Sequence, residues 1–104
     1  MSGEVKEVLS KVKPENSFHW YRLHLYYIEL KEYDNALECI DEMLNLKYKF
    51  FPLFLKGKIY FELKKYDEAM NYCQEASNFK SSEELDKLID KINIAQNNSK
   101  LVFK

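Results

Sequence analysis

Hydrophobic residues in the first half of the chain recur three and four positions apart, which is the spacing of one face of an α-helix. A first apolar stripe consists of Trp20, Leu23, Tyr27 and Leu30. A polar segment at 31–34 then interrupts the pattern. A second stripe follows, and it consists of Leu37, Ile40, Met43 or Leu44, and Leu46. The pattern predicts two helices joined by a short corner.

The second half of the chain repeats this arrangement. One apolar stripe consists of Leu53, Tyr60 and Leu63, and the next consists of Met70, Cys73, Ala76 and Phe79. Residues 64–67 form the polar corner between them. Asp34 in the first corner is a predicted N-cap, because its carboxylate can accept hydrogen bonds from free amides of the next turn. Pro52 falls where a first-turn proline loses no hydrogen bond.

Two further amphipathic segments flank these four helices. Residues 4–13 end at Pro14, and their apolar residues are Val5, Val8, Leu9 and Val12. Residues 81–97 open on a predicted capping box of Ser81 and Glu84, and their apolar face consists of Leu85, Leu88, Ile89 and Ile92. The run Asn97-Asn98-Ser99 is predicted to end this helix and to leave a tail at 98–104. We therefore predict an all-α chain of about six helices.

An internal repeat organises the chain. When the sequence is shifted by 33 residues, the segment 27–36 (YIELKEYDNA) aligns with the segment 60–69 (YFELKKYDEA), and seven of the ten positions are identical. The predicted parts are an N-terminal flanking helix at 1–16, a first repeat at 17–49, a second repeat at 50–80, a capping helix at 81–97 and the tail.

Composition and charge narrow the classes of function. A chain of 104 residues with 46% hydrophobic and 32% charged residues is typical of one globular domain. Two glycines and two prolines are too few for many short strands and turns. A net charge of −1 gives no electrostatic attraction toward nucleic acid or an anionic membrane, so we expect neither as a partner.

The cysteines and the apolar runs bear on the cellular compartment. Cys39 and Cys73 lie singly in apolar stretches, where a reduced cysteine acts as a small hydrophobic residue. No apolar run reaches the ~18–20 residues that span a bilayer, and no signal-peptide pattern follows Met1. We therefore expect a cytoplasmic protein.

Catalytic and metal-binding patterns are missing from the sequence. His19 and His24 are five residues apart, which places them on different sides of a helix instead of together as a metal pair. The acidic residues scatter among apolar helix positions, as on a solvated face. No glycine-rich phosphate loop, nucleophile elbow or zinc-ligand cluster occurs. We predict no enzyme activity, no cofactor and no metal.

A helix–turn–helix unit that recurs every 33 or 34 residues resembles the tetratricopeptide repeat, whose signature begins W-x2-L-G-x2-Y and continues with A, F and P. The matching residues are Trp20, Leu23, Tyr27 and Ala36 in the first unit, and Gly57, Tyr60 and Ala69 in the second. The departures are His24 for glycine, Lys56 for leucine, Ile40 and Cys73 for the aromatic, and Tyr48 and Ser81 for proline. The resemblance covers 17 to about 80 and implies a superhelix of paired helices.

In this family the first helix of each unit lines a concave groove, so the resemblance implies a set of partner-binding residues. They are Tyr21, Arg22, Leu25, Ile28, Phe51, Phe54, Leu55, Lys58 and Phe61, with Phe18, Glu29 and Glu62 on the same faces. Tyr21, Phe54 and Phe61 are the expected anchors and are expected to contribute little to the core. The alternative is that the flanking helices or residues 101–103 cover this face.

The function predicted from these observations is that of an adaptor or scaffold, which holds a helical or extended segment of another protein in an apolar, aromatic groove. One alternative is a structural end-piece of a longer helical array, or a subunit that associates with copies of itself. Another is a chaperone cofactor. The carboxylate clamp of one subgroup is not present, since the matching positions hold Tyr21, Leu25, Leu55, Glu84 and Leu88.

Overall fold

The computed structural model of the protein describes residues 17–45 and 49–102. Five α-helices and no strand occur in this part of the chain, which confirms the all-α prediction. They are α1 (Ser17–Glu29), α2 (Tyr33–Leu44), α3 (Phe50–Glu62), α4 (Tyr66–Ser77) and α5 (Glu83–Val102). The helix predicted at 4–13 lies outside the described residues.

The chain divides into two compact units, Met1–Pro52 and Leu53–Lys104. In the first unit α1 packs against α2, and the buried side chains include Trp20, Tyr27, Ala36, Cys39, Ile40 and Met43. Each large side chain among them contributes about 1.5–3 kcal/mol on burial. The sequence placed Trp20 and Tyr27 between the helices correctly, because both stand in the apolar stripe of α1.

In the second unit α4 packs against α5. The small side chains of Ala69, Cys73 and Ala76 on α4 are fully buried, as are Leu85 and Ile92 on α5. Gly57 of α3 lies close to both helices, since a Cβ atom built on it would stand 2.7 Å from the Cys73 sulfur and 3.6 Å from Cδ2 of Leu88. Small residues therefore let three helices approach closely, as the glycine of the repeat signature implied.

The two corners share one backbone geometry. Lys31 and Lys64, which are 33 residues apart, have φ angles of 58° and 62°, in the left-handed region. The amide of Lys64 donates to Phe61 O at 3.0 Å, and the amide of Lys65 donates to Tyr60 O at 2.9 Å. This pair of bonds is the Schellman motif that ends many helices, and glycine usually occupies the left-handed position.

We expect Lys64→Gly to stabilise the protein by ~0.5–1 kcal/mol, because a left-handed residue with a side chain is strained by about 1–2 kcal/mol and the backbone entropy of glycine offsets part of that gain. Urea unfolding followed by circular dichroism measures the change. The control is Lys65→Gly, since Lys65 has an ordinary φ of −95° and glycine should destabilise there. A gain at Lys65, or a loss at Lys64, would contradict this account.

Three boundary predictions were wrong. Helix α2 starts at Tyr33 with Glu32 as its N-cap and no side-chain cap bond, so Asp34 lies inside the first turn instead of capping it. Ser82, not Ser81, caps α5, because its hydroxyl accepts from the amide of Leu85 at 3.4 Å. The last helix continues to Val102, since Asn97-Asn98-Ser99 contains neither glycine nor proline and asparagine is only a moderately poor helix former.

Candidate functional site

One face of α1 carries exposed apolar side chains. Four of its residues, at spacings of three and four, form what we call the inner row: Phe18, Tyr21, Leu25 and Ile28. Phe18 is 62% exposed and Leu25 is 42% exposed, whereas Tyr21 and Ile28 are half-buried. Glu29 lies exposed at the edge of this row. The face is therefore apolar with charge at its edge.

Tyr21 is held in place by two aromatic neighbours. Its ring centroid lies 5.1 Å from that of His24 and 5.3 Å from that of Phe51, which belongs to the first turn of α3. His24 is buried, and its Nδ1 lies 2.7 Å from the backbone oxygen of Tyr21. Phe51 is 39% exposed, so it extends the apolar surface of the inner row beyond α1.

The structure does not place Phe54 and Leu55 on an accessible surface. Phe54 is 8% exposed and Leu55 is 4% exposed, so both belong to the core, and the expectation that Phe54 contributes little to it was wrong. Residues 50–55 are all apolar, so the amphipathic pattern does not mark which of them face the core, and Pro52 to Leu55 are buried whereas Phe51 is exposed.

The other predicted positions of α3 are more accessible. Lys58 is exposed, and its Nζ lies 5.7 Å from the ring centroid of Phe54. Phe61 is half-buried, and its ring centroid lies 5.8 Å from that of Tyr66, the first residue of α4. Arg22 is exposed on α1, with its guanidinium 5.8 Å from the ring centroid of Phe18. Each of these two cations lies over an aromatic ring.

A cation–aromatic stack on the second unit was not foreseen from the sequence. Lys56 stands where the repeat signature has leucine, and its Nζ lies 5.0 Å from the ring centroid of Tyr72. The ring of Tyr72 stacks on that of Tyr60, with centroids 5.2 Å apart and planes 12° apart. The sequence signal that could have predicted this stack is the presence of Tyr60 on α3 and Tyr72 on α4. The aliphatic stem and charge of Lys56 thus replace the leucine by packing over an aromatic face.

Asn35 is a second feature that sequence reasoning missed. It is 1% exposed, and its Nδ2 donates to Oε1 of Glu32 at 2.9 Å. Its Oδ1 is buried without a hydrogen-bond partner. The equivalent residue of the second repeat, Glu68, is exposed, so burial at this position is a property of the first repeat alone.

The two cysteines are buried and unpaired with each other. Burial, together with the nearby carboxylates of Glu38 and Glu42, raises the pKa of Cys39 from 9.0 to about 12. Burial raises the pKa of Cys73 from 9.0 to about 11. A thiol that holds its proton so strongly is a poor nucleophile and a poor metal ligand.

We expect native Cys39 and Cys73 to resist alkylation by iodoacetamide at about pH 8 and to react at once in urea, because only the thiolate reacts. Each folded pKa lies above the unfolded value of 9.0. The stability that protonated thiols contribute is therefore complete below pH 9 and is lost as the pH rises through 11 to 12. Mass spectrometry of the treated protein measures the extent of alkylation at each cysteine. Rapid labelling of the native protein would show that the thiols are accessible.

The described residues contain no group of side chains suited to a metal ion and no helix suited to a membrane. Within 17–45 and 49–102, no three histidine, cysteine or acidic side chains stand close enough together to hold a metal ion. In that same part of the chain, no helix combines the length and the hydropathy that crossing a membrane would require.

Consecutive helix–turn–helix units, with matching helices that start 33 residues apart, define a class of helical repeat protein. A family model of the tetratricopeptide repeat matches residues 52–82, which form most of the second repeat. The second repeat therefore matches the tetratricopeptide repeat family, as the sequence predicted. No curated protein and no solved structure matches the chain. Repeats of this family are typically non-catalytic modules of protein interaction, and the match supports a protein-interaction module in general terms.

Proposed function

We propose that the protein is an adaptor that holds an apolar segment, helical or extended, of another protein against the inner row of α1 and the adjoining Phe51. The observation that carries this proposal is the gathering of exposed large apolar side chains on one face, namely Phe18, Leu25 and Phe51. An exposed apolar patch edged by charge is characteristic of an interaction site. A cytoplasmic location fits a partner-binding protein with two reduced cysteines.

The second repeat supports the same proposal. The residues of α3 that correspond to the inner row are Phe51, Phe54, Lys58 and Phe61. All of them except Phe54 remain exposed or half-buried. At the accessible positions each repeat offers its own surface to a partner. Since Phe54 and Leu55 are buried, the candidate surface of the first unit consists of Tyr21, Leu25, Ile28 and Phe51, and that of the second unit is limited to Lys58 and Phe61.

The chaperone alternative has little support from the side chains at the clamp positions. A clamp for a C-terminal carboxylate needs lysine, arginine or asparagine donors. Leu55 and Leu88 are buried, and Glu84 is exposed and would repel an anionic peptide. We expect a peptide with the acidic C-terminus of heat-shock chaperones to bind weakly or not at all. Micromolar binding that weakens steeply with salt would restore this alternative.

The proposal is tested with Leu25→Asp, which places a charge in the middle of the inner row. The matched control is Ile94→Asp, since Ile94 is a similar apolar residue that is 60% exposed on α5. Each variant and the unmodified chain are used to capture proteins from cell extract, and the retained proteins are quantified by mass spectrometry. Peptides that tile a captured protein are then titrated against all three chains.

We expect capture and peptide binding to fall at least about tenfold with Leu25→Asp, which is about 1.4 kcal/mol of binding free energy, and to be unchanged with Ile94→Asp. Both variants should melt at nearly the same temperature as the unmodified chain, because both sites are exposed. Equal capture by all three chains would contradict the proposal. Concentration-dependent dimerisation that Leu25→Asp abolishes would instead favour the self-associating alternative.

A further inference from the structure

Two charged side chains lie beside the inner row. The acidic and basic residues of α1 are Glu29 and Arg22, and both are exposed. They are seven residues apart, which places them on the same side of the helix and about 10.5 Å apart along it. They are therefore too far apart to pair with each other, and within the described part of the chain neither of them forms an ion pair.

Both charges stand along one edge of the inner row. Around the helix, Arg22 and Glu29 follow Phe18 on the side away from Tyr21, and Tyr21 contacts Phe51 on the other side. The guanidinium of Arg22 lies 5.8 Å from the ring centroid of Phe18, so it is held beside the row. A guanidinium binds a carboxylate through two parallel hydrogen bonds. The row therefore has a cation near its start and an anion near its end.

The period of the row selects the conformation of its occupant. From Phe18 to Ile28 the row runs about 15 Å, with a side chain about every 5 Å. A helical partner repeats its apolar side chains with the same period, so its contacts stay in register along the whole row. The side chains on one side of an extended segment recur about every 6.6 Å. An extended segment therefore loses register after about two contacts.

Resting on the proposed function, we propose that the partner segment is an amphipathic helix that lies antiparallel to α1, with a basic residue opposite Glu29 and, seven residues later, an acidic residue opposite Arg22. Two facing helices of the same charge pattern bring their charged edges together when they run in opposite directions. In such a partner each charge directly follows an apolar residue, as Arg22 follows Tyr21 and Glu29 follows Ile28. Charge pairs of this kind fix the register and the choice of partner.

A second copy of the chain fits the row less well than such a partner. In an antiparallel copy that pairs Arg22 with Glu29 in both directions, the polar corner at 31–34 comes level with Phe18. Phe18 is 62% exposed, the largest exposed fraction among the large hydrophobic residues of α1. The copy would thus place charged side chains against the apolar residue that most needs cover. A partner helix with an apolar residue at that end covers it.

Synthetic peptides test the charge pattern. The first is a 16-residue peptide of alanine and glutamine with leucines at positions 3, 7, 10 and 14, a lysine at position 4 and a glutamate at position 11. Four relatives carry Lys/Lys, Glu/Glu, Gln/Gln or the reversed order Glu/Lys at positions 4 and 11. Each is titrated at low ionic strength against the unmodified chain, Arg22→Glu and Glu29→Lys. Asp90→Lys is the control, since it makes the same change of charge as Glu29→Lys at an exposed site on α5.

We expect the unmodified chain and Asp90→Lys to bind the Lys/Glu peptide at least about fivefold more tightly than the Lys/Lys, Glu/Glu or Glu/Lys peptide. Arg22→Glu should instead prefer the Lys/Lys peptide, and Glu29→Lys should prefer the Glu/Glu peptide. These preferences should shrink as salt is added, because salt screens exposed charges. The Gln/Gln peptide should bind all four chains equally, which also shows that the variants are folded.

Equal binding of all five peptides by every chain would overturn this inference. If Leu25→Asp then lowered the binding of each peptide, the proposed function would still stand. No binding of any peptide would also overturn the inference, and the capture experiment with Leu25→Asp would decide the proposed function separately. Dimerisation of the unmodified chain in sedimentation analysis, abolished by Arg22→Glu, would overturn it too and would assign the row to a second copy.

Discussion

Replacing Phe54 with alanine is expected to lower the free energy of unfolding by about 3–5 kcal/mol, since truncating a buried phenylalanine removes its transfer free energy and leaves a cavity. Phe54 is 8% exposed and stands between the buried Leu53 and Leu55. A loss of this size is a large fraction of the stability of a small domain. Urea unfolding followed by circular dichroism measures it.

The matched control is Phe51→Ala, in the same helix. Phe51 is 39% exposed, and its ring centroid lies 5.3 Å from that of Tyr21, so its truncation should cost only about 0.5–1.5 kcal/mol. A small loss at Phe54, close to that at Phe51, would show that Phe54 is accessible and would return it to the binding surface. The pair therefore separates a core residue from a surface residue of the same type.

Replacing Gly57 with leucine is expected to destabilise the protein by about 1–3 kcal/mol through overpacking. Even a single Cβ atom would stand 2.7 Å from the Cys73 sulfur and 3.5 Å from the backbone oxygen of Ala69. The longer leucine side chain must displace α4 or α5, and neither can move without losing its own contacts. Urea unfolding again measures the change, and an unchanged midpoint would contradict the close approach.

A double-mutant cycle identifies the cause of the strain. Gly57→Ala should destabilise the unmodified chain, because the new methyl group meets the Cys73 sulfur. In a Cys73→Ala background the same change should instead become neutral or stabilising, since alanine is favoured over glycine in a helix by about 1 kcal/mol. The same sign in both backgrounds would show that Cys73 is not the residue that excludes a side chain at 57.

The losses of stability expected for Phe54→Ala and Gly57→Leu together bear on the proposed function. If Phe54 and Gly57 both carry stability, α3 contributes strongly to the core of the second unit, whereas the inner row of α1 contributes exposed surface. The inner row of α1 can then be altered at Leu25 with little loss of stability. Binding and folding can be separated in this protein if binding depends on α1 and folding depends on α3.

The sequence by itself determined the class of fold. Apolar residues at spacings of three and four specify helices because an α-helix turns once in 3.6 residues, and the stripe through Trp20 and Tyr27 identified the buried face of α1. The 33-residue repeat also predicted that Gly57 lies at a close approach. These are local or periodic properties, and they depend little on what lies on the far side of a helix.

The tertiary structure alone decided where equivalent positions of the two repeats differ in burial. Tyr21 and Phe54 occupy the same position in the two repeats, yet Tyr21 is half-buried beside Phe51 and Phe54 belongs to the core. Arg22 and Leu55 differ in the same way. A position within a helix sets the direction of a side chain, whereas its burial depends on neighbours that are distant in the sequence. The left-handed backbone of Lys31 and Lys64 could not be predicted from the sequence either. A lysine does not indicate a positive φ, and here the closing of the corner imposes it.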